Sequence, residues 1–234
     1  MKAVRIAFLQ MLSFLRRDMM LAAASIAPVL IGLVFRFGLP ALEKVLTGYF
    51  HRTECLAPFY EIFDIFLSML SPFLFCYVTA MIVLEERDEK LAGYLFVTPL
   101  QKRGYLIARM GLPCAIAFMA TVCLLPVFKL TELAAGMVVY LSLAGALQGL
   151  LLELLILTLS SNKLEGMAVT KLSSVMILGA LVPWFISNKI QYVFGIFPAF
   201  WVGRTMLFGE WFSALCSILV SFAWILLLIK WLRF

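Results

Sequence analysis

At 234 residues the chain is 64% hydrophobic and 14% charged, with a mean hydropathy of +1.05, and so little polar surface cannot cover a soluble domain of this length. Its net charge of +6 comes from basic residues distributed around apolar runs, which points to lipid headgroups rather than nucleic acid as the counter-charge. The five cysteines have no metal-type spacing and only Cys55 falls in a loop, so they read as small hydrophobes.

Met1 to Arg17 reads as an amphipathic helix. At 100° per residue Val4, Ala7, Phe8, Met11, Leu12 and Leu15 share one face, while Lys2, Arg5, Gln10, Ser13, Arg16 and Arg17 occupy the other and Ile6 and Leu9 interrupt it. Such a helix lies along a membrane interface. A signal peptide fits less well, because the amphipathic stretch precedes the first long apolar run and that run lacks a cleavage end.

Six membrane spans are predicted at about 19–39, 62–84, 105–128, 133–159, 167–187 and 212–229, within one transmembrane domain covering 1–234. The predicted fold class is therefore all-α and polytopic, with an N-terminal interfacial helix and a polar segment at 85–105. An even number of spans puts both termini on one side. With Arg36 set aside as intramembrane, thirteen Lys and Arg fall on the side of the termini and five on the other, which orients both termini to the cytoplasm.

Along this frame, Arg36 near the outer end of the first span and Asp64 near the outer start of the second are placed to pair, or Arg36 to reach headgroups. The first outer loop, Pro40 to Glu61, holds the lone histidine, His51, which reads as a solvated surface group. At 85–105 the polar segment EERDEKLAGYLFVTPLQKRGY opens with Glu85, Glu86, Asp88 and Glu89, taken as the start of a helix where the dipole favours carboxylates. Leu91, Tyr94 and Leu95 follow at helical spacing, and Thr98-Pro99 stops the helix. Apolar Leu91, Tyr94, Leu95 and Phe96 beside charged Glu85, Glu86, Glu89 and Lys90 make a candidate docking surface.

Further on, Gly145 and Gly149 in the fourth span let another helix approach closely, within the chain or from a second copy. Glu153 and Lys171 approach the cytoplasmic ends of spans four and five and are expected to form an ion pair, either fixing helix register or serving transport. Ser187 to Glu210 is rich in rings, which suits short helices in the outer interface or an aromatic belt. The chain has no H-E-x-x-H, G-x-S-x-G, G-x-G-x-x-G or phosphate-loop motif, so no catalytic or metal-binding residue is assigned. A metal-dependent lipid transferase is disfavoured, because Asp88 stands among glutamates and lysines rather than among spaced aspartates.

An acidic stretch closing the second span, then Thr98-Pro99-Leu100, then Lys102-Arg103 before Tyr105, resembles the coupling region of bacterial ABC exporter permeases of the type-2 class. The likeness is nearest to the short six-span permeases for drugs or fluoroquinolones. Asn162-Lys163-Leu164-Glu165-Gly166 with Lys171, and Phe197-Pro198-Ala199-Phe200-Trp201, are two further matches in order along the chain. The resemblance implies a cytoplasmic coupling helix that docks on a separate ABC ATPase, which would hold the ATP and magnesium, with no cofactor in this chain. It also implies a second permease subunit in a homodimer or heterodimer, an extracellular re-entrant pair between spans five and six, and a place in the bacterial cytoplasmic membrane. Amphipathic drugs, peptides and lipids are the implied cargo. A haem-export permease of the same fold, and a proton-coupled transporter using Glu153 and Lys171, are the alternatives.

Overall fold

Each of the six apolar runs becomes helical in the computed structural model, which describes residues 6, 9, 19–51, 53–96 and 101–232. The first span is α1 (Met19–Leu33) and α2 (Leu39–Phe50), joined by a π turn at Val34–Gly38. The second is α3 (Tyr60–Asp88), followed by two short helices, α4 (Leu91–Phe96) and α5 (Gln101–Leu106). Another π turn, Ile107–Gly111, leads from α5 into α6 (Leu112–Phe128), and α7 (Ala135–Leu159) forms the fourth span. The fifth combines α8 (Lys163–Ser173), a 3-10 stretch at Ser174–Leu181 and α9 (Val182–Phe185). A 3-10 turn at Lys189–Ile196 and α10 (Pro198–Phe208) precede the last span, α11 (Trp211–Trp231). Apart from Ile6 and Leu9, the stretch expected to form the interfacial helix at 1–17 lies outside the described residues.

The first span is longer than hydropathy indicated, because Pro40 does not end it. Proline lacks the N–H that would bond four residues back, and here a π turn ending two residues earlier absorbs that loss. The same device precedes Pro113, and each π turn carries an arginine four residues before its proline, Arg36 in one and Arg109 in the other. Helix therefore runs to Phe50, where His51 takes a left-handed conformation and stays exposed, and much of the expected outer loop is helical. The Glu43 carboxylate accepts the backbone N–H groups of Cys55 at 2.8 Å and Leu56 at 2.6 Å, tying the remaining loop back to α2.

At the centre, α3 and α7 are mostly buried, whereas the other four spans leave most of their residues unburied. Gly145 and Gly149 form the seam between these two helices. A methyl on Gly145 would overlap the Ser68 carbonyl, and one on Gly149 would come within 2.8 Å of the Pro72 carbonyl. The small-residue pair thus serves packing within the chain.

The start of α3 is fixed by Asp64, which accepts from Leu130 N at 2.8 Å, Thr131 N at 2.9 Å and Thr131 Oγ1 at 2.6 Å in the α6–α7 turn. Arg36 donates to the Lys129 carbonyl of the same turn at 2.8 Å. The expected Arg36–Asp64 ion pair is therefore not formed; both side chains hold one turn, whose backbone groups supply the partners. Beyond α9, the aromatic segment divides, with Phe200 buried and Tyr192 and Phe208 exposed. Ala199, Phe200 and Val202 of α10 are buried, and Gly203 lies so close to the Ala180 carbonyl that a methyl there would overlap it. Trp201 and Trp224 bond the carbonyls of Gly195 and Ile196 at 2.7 and 2.9 Å.

Candidate functional site

Interest concentrates where α3 ends. The apolar pattern of the second span continues through Leu84, and Glu85–Asp88, which lack any helix breaker, prolong it by one turn. These carboxylates therefore close a helix rather than open one, at the end where the dipole disfavours them. Cations from other elements offset that cost. The Lys163 ammonium lies 3.1 Å from Glu85, the Lys163 backbone N–H bonds Asp88 at 3.3 Å, and Arg87 donates to the Leu157 carbonyl at 2.7 Å. The end of α3 is thereby keyed to the α7–α8 junction.

Glu86 departs furthest from its expected place. Instead of facing a partner from the surface it is 2% exposed, because it points inward to Arg109 in the second π turn. Arg109, itself 1% exposed, donates Nε to Glu86 Oε2 at 3.1 Å and Nη2 to Oε1, and the Tyr105 hydroxyl donates to Oε2 at 2.8 Å. In the sequence Arg109 counts only as one of the thirteen basic residues on the side of the termini. The signal for more was its place five residues into an apolar run and four before a proline.

Between these anchors the chain reverses. Lys90 adopts φ 58, the left-handed conformation that commonly closes a helix. Glu89, Lys90, Leu91, Gly93 and Tyr94 are exposed, with Tyr94 at 71%, so α4 stands clear of the bundle. The side chains of Leu95 and Phe96, and residues 97–100 with Thr98-Pro99, lie outside the described set. Because Glu86 precedes this excursion and Tyr105 and Arg109 follow it, the loop is closed at its base by one buried cluster.

The motif at Asn162–Gly166 has a structural explanation. Asn162 Oδ1 accepts from Glu165 N at 2.9 Å, while the Glu165 carboxylate accepts from Ser161 N at 2.7 Å, a reciprocal cap that starts α8. Gly166 then passes tightly against Leu84 and Met81 of α3.

The expected Glu153–Lys171 pair is absent. Glu153 is fully buried between α7 and α3, accepting from Thr79 Oγ1 at 2.8 Å, whereas Lys171 is exposed on α8. The Glu153 side of α7 faces the seam with α3, where Thr79 supplies its hydrogen bond. All five cysteines are free.

A family model described as fluoroquinolones export permease protein Rv2686c-like matches residues 11–232. Among curated proteins, the fluoroquinolones export permease proteins MT2760 and Rv2686c, from the CDC 1551 / Oshkosh and H37Rv strains of Mycobacterium tuberculosis, are each 26% identical over 198 residues. Each alignment covers 80% of this chain and 75% of the relative. No solved structure matches.

Proposed function

Since this chain belongs to the Rv2686c-like family of fluoroquinolones export permease proteins, we propose that it is the membrane subunit of a bacterial ABC exporter driven by a separate ATPase chain. The observation that carries the coupling is α4, an exposed helix whose connecting loop is anchored at both ends. Leu91 and Tyr94 offer apolar area to an ATPase groove, and Glu89 and Lys90 offer charges that set register. Movement of a docked α4 passes through Glu86 to α6 by way of Arg109, and through Glu85 and Asp88 to α8 by way of Lys163. ATP and magnesium belong to the ATPase. A second permease subunit, identical or similar, completes the transport unit, and both termini and α4 face the cytoplasm across the bacterial inner membrane.

The cargo is an amphipathic drug, of the kind for which the mycobacterial relatives are named. Alternate rearrangement of the two permease subunits moves it outward. The proton-coupled alternative needs Glu153 and Lys171 in one relay, and they are not in contact.

Co-expression with candidate ATPases, affinity capture and ATP-driven fluoroquinolone uptake by inverted vesicles test the proposal. Tyr94→Ala should weaken ATPase capture by about 1 to 3 kcal/mol through lost apolar contact, and Glu89→Lys should weaken it further. Normal capture and uptake by both variants would reduce α4 to a solvated loop.

A further inference from the structure

At the end of the bundle opposite α4, helices α7, α10 and α11 do not close on one another. Gly136, Met137 and Tyr140 from the start of α7, Thr205 from α10, and Trp211 and Ala214 from the start of α11 surround a cavity of about 200 Å³. Two features keep it open. Gly209 takes φ 67 and turns the chain sharply from α10 into α11, and a Cβ on Gly136 would meet nothing within 4 Å. Benzene occupies an apolar protein cavity of about 150 Å³, so this volume admits a fused bicyclic ring system.

Apart from the Trp211 indole N–H, the polar side-chain groups of the wall form one hydroxyl cluster, and counting its protons shows what it offers. Thr205 Oγ1 donates to the Trp201 carbonyl and Ser217 Oγ to the Ala214 carbonyl, each at 2.8 Å. The single Tyr140 proton then goes to Ser217 at 2.8 Å or Thr205 at 3.2 Å, and the phenolic oxygen keeps its acceptor capacity. No cation lines the cavity. Arg204, on the same helix as Thr205, is committed to Glu210 at 3.2 Å and to the Tyr192 hydroxyl, and its bond holds the Glu210 carboxyl below the usual range. The one fixed polar contact of the cavity is therefore an acceptor, placed for a ring that bears a hydrogen-bond donor. Met137 and Trp211 provide thioether and aromatic contacts for that ring.

We propose that this cavity binds a planar aromatic amphiphile, with its ring against Met137 and Trp211 and an N–H or ammonium group donating to the Tyr140 oxygen. The inference rests on the exporter reading and gives the cargo a site on the release side of the membrane, remote from the ATPase. A lipid acyl chain would fill the same volume without using Tyr140.

The probes are ciprofloxacin, which carries a basic amine, and nalidixic acid, a related bicyclic acid without one. Binding to the purified permease is measured in nanodiscs of phosphatidylethanolamine and phosphatidylglycerol. Gly136→Leu fills the cavity where there is room for a side chain, and should weaken both probes about tenfold. Tyr140→Phe keeps the ring and should weaken ciprofloxacin about tenfold while leaving nalidixic acid unchanged. Wild-type affinity in both variants, equal loss of both probes in Tyr140→Phe, or loss in Gly136→Leu alone, as for an acyl-chain site, would each overturn the proposal. Vesicles carrying the permease and its ATPase separate the two levels. No ATP-driven ciprofloxacin uptake by the wild type overturns the exporter reading, whereas equal uptake by wild type and both variants overturns the cavity site alone.

Discussion

A guanidinium and a carboxylate taken out of water together hold each other in place, and removing one strands the other. Glu86 and Arg109 are such a pair, with the Tyr105 hydroxyl filling part of the carboxylate's remaining capacity. Arg109→Ala should lower stability by about 3 to 5 kcal/mol, and Glu86→Leu with Arg109→Leu by less than the two single changes summed, read by thermal unfolding in detergent. Equal, additive losses would mean that the two side chains do not act as a unit. For the same reason charge reversal at Glu86 cannot probe docking, since it disrupts the bundle itself; Glu89 and Tyr94 can. Glu153 is a different case, because Thr79 Oγ1 donates to it and an amide oxygen accepts that bond equally well. Glu153→Gln should therefore change stability by no more than about 1 kcal/mol, and exposed Lys171→Ala by about 0.5 kcal/mol at most. Hydropathy singled out Glu153 as an intramembrane charge, but its partner depended on which face of α7 meets α3, and that is set by packing rather than by depth.

Among the elements, the glycines of α7 define the central contact. Because Gly145 and Gly149 face the Ser68 and Pro72 carbonyls, added side chains meet backbone that cannot rotate away. Gly145→Ala should cost about 1 to 3 kcal/mol, while Gly136→Ala, with open space around it, should be nearly silent in the same melting assay. Spacing alone marked the pair as a close-approach seam and left open whether a second copy occupied it. At the start of α8 the reciprocal cap predicts that Asn162→Ala lowers stability by about 1 kcal/mol, with Glu165→Gln milder because an amide oxygen still accepts from Ser161. That cap was readable as a motif but not as a cap, since the span boundary had been placed four residues later, at 167. The carboxylates of 85–88 were misplaced for a related reason. Local rules put acids at helix starts, and here cations from distant elements overrode them.

For the whole molecule, the six spans were legible because their signal is composition over some twenty residues, which bilayer thickness sets. What hydropathy missed was helix that continues past a span, in α2, whereas the ring-rich composition of Ser187 to Glu210 did mark a short helix there, α10. Sidedness is a separate quantity, carried by loop charge. The thirteen-to-five excess of Lys and Arg predicts that α4 and both termini face the cytoplasm, and the alternation of spans then predicts that the 3-10 turn at Lys189–Ile196 faces outside. Lys90 and Lys189 are both exposed and belong to opposite ends of the bundle, so they report on orientation without disturbing the core. In a cysteine-free background, an impermeant maleimide applied to intact cells should label Lys189→Cys and spare Lys90→Cys, and inverted vesicles should reverse the pattern. Labelling of both positions from one side would contradict the span order itself, whereas a clean reversal of sides would leave the fold intact and turn α4 away from any cytoplasmic ATPase.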